Sequence, residues 1–270
     1  MRFVAVASLG LLLPWFIAAC GDDPVGSRAA AGYYRLESVN GQPLPYVSPP
    51  SVGFLESIDR GDLLLRGSGA FSLGVASTGG GYLTGRYRVA GDELRLTFAA
   101  AEPGQPAVDI TGVAAGDSVV LDLGTAPAVR RYLFRRSERD PAPIAPGMYV
   151  LRAINDDVAA PFLLYEEVIS GARHTGIVLY DSIQFIDAVF YRRHRAETAT
   201  ADWGDGQISQ SSRAWMVYGA YDGAANGVIL RPYWSFDDGD AGTLTLDGGA
   251  LVRRSTMSGV MTEERFERRP

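Results

Sequence analysis

Side chains able to do chemistry are scarce in this chain. Of 270 residues, two are histidine (His174, His194) and one is cysteine (Cys20), set among 31 acidic and 25 basic residues, all the basic ones arginine. Acyl transfer needs a nucleophile, a base and a group that orients the base. Neither histidine sits in a nucleophile or metal context, and there is no Gly-x-Ser-x-Gly elbow or His-Glu-x-x-His. Zinc would need several Cys or His ligands. Calcium takes oxygen ligands, and Asp202-Trp203-Gly204-Asp205-Gly206 and Asp237-Asp238-Gly239-Asp240 supply them, but neither has the spacing of a calcium loop. Asp-Gly is also ordinary hairpin chemistry. Glu166-Glu167 and Glu263-Glu264 are adjacent pairs, and on a strand neighbours point to opposite faces, so solvated strand edges are expected. The reading is of a protein that is not an enzyme, with no catalytic residue, metal or cofactor.

Two groups of residues could bind. Tyr191–Arg195 reads YRRHR. On a strand, Tyr191, Arg193 and Arg195 share one face, and Arg192 and His194 the other. If that strand lines a barrel, one set points inward or toward a rim and could meet an anionic head group. The sequence favours the plainer arrangement, a solvated strand end beside acidic loops. The second half also holds Trp203, Trp215 and Trp234 with Tyr218, Tyr221 and Tyr233, in the stretches WMVYGAY and RPYWSF. Core packing accounts for most of these, and a lined cavity or an interaction surface is the functional alternative. The candidate ligand-binding residues are therefore Tyr191, Arg193, Trp215, Tyr218, Tyr221 and Trp234. A formal net charge of −6 argues against nucleic acid, whose phosphates call for a basic face.

The elements that would position these residues are strands. Leu83, Gly85, Tyr87 and Val89 alternate with Tyr82, Thr84, Arg86 and Arg88. The turn Gly91-Asp92 then leads into Leu94, Leu96 and Phe98, alternating with polar neighbours. This is a hairpin with one apolar and one polar face. Gly116-Asp117 precedes Val119, Leu121 and Leu123, and Leu244 and Leu246 precede Asp247-Gly248-Gly249. Such strands predict an all-β protein, whose one-sided sheets must close or stack.

The strands come in two sets. Gly32, Tyr34, Leu36, Val39, Asn40 and Pro45 recur as Gly147, Tyr149, Leu151, Ile154, Asn155 and Pro161. YLFRR, ending at Arg136, and ERFERR, ending at Arg269, close the two units, and the Pro-rich SERDPAPIAP lies between. Tyr34 and Leu36 read as core anchors. The pattern Gly-x-Tyr-x-Leu, then Asn-Gly-x-x-x-Pro, resembles the opening strand and turn of lipocalin-like β-barrel domains of bacterial lipoproteins. It lacks the Gly-x-Trp of true lipocalins, and Asp156-Asp157 replaces Asn-Gly in the second unit. The resemblance implies two tandem antiparallel barrels of about eight strands each, and implies a small apolar or amphipathic ligand.

The chain opens MRFVAVASLGLLLPWFIAACGDD: one arginine, an uncharged run from Phe3 to Ala19, then Cys20. Ile17-Ala18-Ala19-Cys20 resembles the lipobox of bacterial lipoproteins, which implies cleavage before Cys20 and its lipidation. Lipid chains would then hold the protein on a membrane, and Gly21 after the cysteine favours the outer membrane. The expected organisation is a signal peptide over 1–19, a lipidated N-terminus and tether over 20–31, barrels over 32–137 and 147–270, and a linker over 138–146. The expected function is an anchored envelope lipoprotein binding a small apolar or amphipathic ligand. The alternative is an envelope interaction module with filled barrels and an unidentified protein partner. An open apolar cavity would mark the first, and packed interiors with an exposed apolar patch the second.

Overall fold

The computed structural model describes residues 29–48, 57–77, 81–98, 108–124, 129–139, 144–155, 157–158, 160–234, 242–257 and 260–270. Cys20, the leader and Asp237–Asp240 lie outside these residues. The first unit comprises β1 (Gly32–Val39), the short β2 (Gln42–Pro43) and β3 (Tyr46–Val47), then β4 (Ser57–Leu65), β5 (Ala70–Ser77) and β6 (Gly81–Ala90). It continues with β7 (Glu93–Phe98), β8 (Val108–Ala115), β9 (Ser118–Leu123) and β10 (Arg130–Arg136). Neighbours pair antiparallel from β4 to β10, and β1 pairs with both β10 and β4, which closes an eight-stranded barrel. The Gly91-Asp92 and Gly116-Asp117 turns join β6 to β7 and β8 to β9, as the alternation predicts.

The second unit repeats the plan with β11 (Gly147–Ile154), β12 (Phe162–Ile169), β13 (Ala172–Phe185), β14 (Phe190–Asp202) and β15 (Ile208–Ala224). Then follow β16 (Gly227–Pro232), β17 (Gly242–Asp247), β18 (Ala250–Met257) and β19 (Val260–Arg268). Here β11 pairs with β19 and β13 to close the barrel, and β12 is an edge beside the first half of β13. The fold is thus all-β, with two closed eight-stranded barrels in tandem.

The repeated motif is the same local machine twice. Asn40 and Asn155 both adopt φ 52°, a left-handed conformation that asparagine tolerates. The Asn40 amide donates to the Arg131 carbonyl at 2.7 Å, and the Arg131 amide donates back to Asn40 Oδ1 at 2.9 Å. Asn155 and Glu263 exchange the same two bonds at 2.7 and 2.9 Å. Tyr34 donates to the Ala30 carbonyl at 2.7 Å, and Tyr149 to the Ala145 carbonyl at 3.1 Å. Leu44–Pro45 and Ala160–Pro161 are both cis.

Register agrees around both barrels. β1 and β11 each carry an irregularity at the same point of their pairing, between Leu36 and Ser38 and between Leu151 and Ala153. Phe71 and Tyr191, equivalent inward residues, each lie against a cross-strand glycine, Gly85 and Gly219. A Cβ there would come within 2.8 Å of the Phe71 ring or 2.5 Å of the Tyr191 ring. The first interior is a continuous apolar core that includes Tyr34, Phe71, Leu94, Leu121, Tyr132 and Phe134, each under 7% exposed. Burying such side chains is the main stabilising term of a fold with no possible internal disulfide.

The barrels pack on one another. A third apolar cluster joins Tyr33, Leu64, Ala76 and Tyr82 of the first to Phe190 and Tyr233 of the second. Tyr82 stacks on Tyr218 with centroids 4.8 Å apart. Buried Asp62 accepts from Tyr33 at 2.6 Å and from Tyr233 at 2.8 Å. Burial, then the Asp62 charge, pushes both phenols well above the usual tyrosine range. Gly74 lies flat beneath the Tyr233 ring, where any Cβ would overlap Cε2 at 2.0 Å. Arg35 binds Asp222 at 2.7 Å, and Arg139, in the Pro-rich stretch, lies over both Tyr33 and Tyr221.

Candidate functional site

Tyr191, Arg193 and Arg195 point into the second barrel, because alternation on β14 puts them on the same side as its core. This corrects the expectation of a solvated strand end. Arg193 is 1% exposed, and its Nε donates to Asp181 Oδ1 on β13 at 3.0 Å. Arg195 Nη1 donates to Asp181 Oδ2 at 3.0 Å and to Glu264 Oε1 on β19 at 2.8 Å. Arg253 on β18 approaches Glu264 Oε2 at 2.6 Å. Glu264 is 1% exposed, so the expectation that Glu263-Glu264 is solvated fails for one of the two. Its neighbour Glu263 faces outward and pairs with Arg254 at 2.8 Å. Pairing of β19 with both β11 and β18 fixes which glutamate turns in.

These five groups form one charged layer across the barrel. Isolated, each charge would cost several kcal/mol to bury; joined, each meets an opposite charge. Burial alone would raise the Glu264 carboxyl, but Arg253, Arg195 and Arg193 hold it below the usual range. Burial and then the neighbouring Arg193 lower Arg253. Burial also pulls on Arg195, where Glu264 and Asp181 overcome it and raise the group. Arg195 reaches on to Glu197 at 2.5 Å, which Arg213 binds from outside at 2.9 Å.

The other candidates divide between inside and outside. Trp215 and Tyr221 alternate inward along β15, and both are buried. Trp215 lies cross-strand from Arg195 and under the Arg213 guanidinium at 4.7 Å from its ring centre. Tyr221 packs edge-on against Phe185 at 4.8 Å and donates to the Asp187 carbonyl at 2.6 Å, and burial pushes its hydroxyl up to about 12. Tyr218 points outward into the barrel–barrel contact, and Trp234 is 40% exposed. The structure brings Arg193 and Trp215 to the charged layer, Tyr191 and Tyr221 to the apolar core, and Tyr218 to the interface. It does not assemble the six into one site.

The charged layer is closed in. Val178 and Phe162, cross-strand neighbours at the next inward positions, are buried, and the aromatic layer of Tyr149, Phe185, Tyr191 and Tyr221 fills the other side. Neither histidine joins it: His194, between Arg193 and Arg195 on β14, faces outward in edge-on contact with Tyr180, and His174 lies opposite Glu167 in the β12–β13 hairpin. Asp202 and Asp205 accept from the backbone of Gly204 at 2.8 Å and Gln207 at 2.9 Å, which is turn chemistry. Sequence reasoning missed Asp181 and Arg253. The inward parity of β14 was readable, but Asp181 becomes a partner only through the β13–β14 register, and Glu264 and Arg253 come from β19 and β18 near the end of the chain.

Comparison with protein-family models, with curated proteins and with solved structures finds no match for this chain.

Proposed function

We propose that the chain is a non-enzymatic lipoprotein of the cell envelope, anchored through Cys20, that works through the outer surfaces of two filled barrels. The observation that carries this reading is the interior of the first barrel, where Tyr34, Phe71, Leu121 and Phe134 occupy the bore at under 7% exposure. An eight-stranded barrel is just wide enough for its own side chains to fill it. The second bore holds its charged layer and aromatics with the same completeness. The lipobox-like Ile17–Cys20 supports the anchor, and Gly21 supports the outer membrane over the inner.

A second reading, carriage of a small apolar or amphipathic ligand, draws on the three arginines inside the second barrel. Native mass spectrometry of the full chain extracted in detergent separates the two. The filled-barrel reading expects the mass of the mature chain plus its lipid anchor and nothing more. A small molecule that stays through washing and leaves on unfolding would establish the carrier instead.

A further inference from the structure

The wall that the first barrel uses to seat the second is repeated on the second barrel and left uncovered there. Register fixes the equivalence: Asp62, Gly74 and Tyr82 correspond to Ser182, His194 and Met216. Likewise Arg60, across from Ala76 beyond the β4 bulge, corresponds to Tyr180, across from Ala196 beyond the β13 bulge. On the first barrel this wall is buried: Asp62 and Gly74 lie under Tyr233, and Arg60 donates to the Arg231 carbonyl at 2.7 Å. On the second, Ser182 is buried and accepts from the Tyr180 hydroxyl at 2.7 Å, while Met216 is 43% exposed, Tyr180 37%, and His194 and Ala214 are exposed as well.

We infer that this outer face of β13–β15 docks a second copy of the chain, face to face about a two-fold axis; the inference rests on the reading that the protein works through its surfaces. The face is continuous with an interface already made: Tyr218, stacked on Tyr82, adjoins it at the barrel–barrel contact, and Met216 and Ala214 lie two and four residues further along the same side of β15. Its outward residues on β13–β15 from Tyr180 to Tyr218 include no carboxylate, and their one arginine, Arg192, donates to Gln184 at 2.6 Å. Arg192 is thus the one formally charged outward residue of the face, and a two-fold axis that keeps the two Arg192 side chains apart lets two copies meet without like charges opposed. A head-to-tail contact repeating the internal one does not fit. The second barrel docks with Phe190 and Ala220, and the first barrel has Ala70 and Arg86 at those positions.

The test is disulfide cross-linking in membranes from cells making the full chain. Ala214→Cys lies on the proposed contact, Thr111→Cys on an exposed outer position of the first barrel, and the unaltered chain controls for Cys20. Mild oxidation is expected to give a covalent dimer with Ala214→Cys alone. Adding Met216→Arg to that variant is expected to cut the yield by about tenfold, the factor set by 1.4 kcal/mol. Unchanged tryptophan emission in the Met216→Arg chain shows that the barrel is intact. No dimer with Ala214→Cys, equal dimer with Thr111→Cys, or indifference to Met216→Arg overturns the inference. A chain that carries no small molecule yet fails to cross-link removes the dimer and leaves the filled-barrel reading standing.

Discussion

The two barrels share one backbone frame and fill it by opposite means. Where the first has Gly61, Leu73, Val75, Leu121 and Tyr132, the second has Asp181, Arg193, Arg195, Arg253 and Glu264. The first set packs as an apolar core, and the second closes as a charged layer. The frame does not demand charge at these positions, since its sister barrel closes without it. Among the described residues, charge inside the bore belongs to the second barrel alone, and so does the length of its strands: β13–β15 run 14, 13 and 17 residues against 9, 8 and 10 for β4–β6. The extra length extends a four-stranded sheet, edged by β12, beyond the barrel wall.

The largest effect is expected from breaking the charged layer on one side. Glu264→Ala removes the partner of Arg253 and Arg195 and should destabilise the second barrel by about 3–5 kcal/mol, the usual cost of leaving a buried charge uncompensated. Acid should do the same reversibly. Glu264 is held below its ordinary 4.5, so its contribution is complete above 4.5 and is lost as pH falls through the lowered value. The first barrel has Tyr132 at this position and should feel no such step. In a chain starting at Cys20, which leaves out Trp15, tryptophan emission isolates the second barrel, because the other three, Trp203, Trp215 and Trp234, all lie there. Urea unfolding followed by that signal at neutral and acid pH checks both statements, and a pH-independent midpoint would contradict the second.

A smaller effect is expected at the contact between the barrels. Gly74→Ala forces a methyl into the Tyr233 ring and should cost about 1–3 kcal/mol, as overpacking does. His194→Ala, at the matching position of the second barrel, should change the stability of the single chain by no more than about 0.5 kcal/mol, since nothing among the described residues packs on that wall as Tyr233 packs on Gly74. Limited proteolysis of the 138–146 stretch reads the difference. Equal protection in the two variants would mean that the two walls are not used differently.

The alternation of Leu83 to Phe98 about Gly91-Asp92 made the hairpins legible, because one face of each strand is buried and the other wet. The recurrence of Gly, Tyr, Leu, Asn and Pro made the repeat legible, because each residue has a backbone or core duty that both units need. Glu264 was not legible. Its facing depends on a pairing with β11 and β18 that no local pattern announces, and an adjacent glutamate pair on a strand must always send one member each way. Arg193 and Arg195 showed their shared face but not their partners, since Asp181 is fixed by the β13–β14 register and Glu264 comes near only when β11 closes the barrel between β13 and β19. Gly74 gave no sign of its duty, which is to leave room for an aromatic ring from the other unit.

The central claim is that the two barrels are one frame with interchangeable fillings. It is tested most directly by carrying the first barrel's residues into the second as one variant: Asp181→Gly, Arg193→Leu, Arg195→Val, Arg253→Leu and Glu264→Tyr. Replacing a buried charge network by apolar side chains is often neutral or stabilising. The five-fold variant should therefore unfold in urea at or above the wild-type midpoint, with Trp215 emission still that of a buried ring and the acid step gone. A variant that loses the second barrel, as Glu264→Ala alone is expected to weaken it, would show that the charged layer is part of the frame and not its filling.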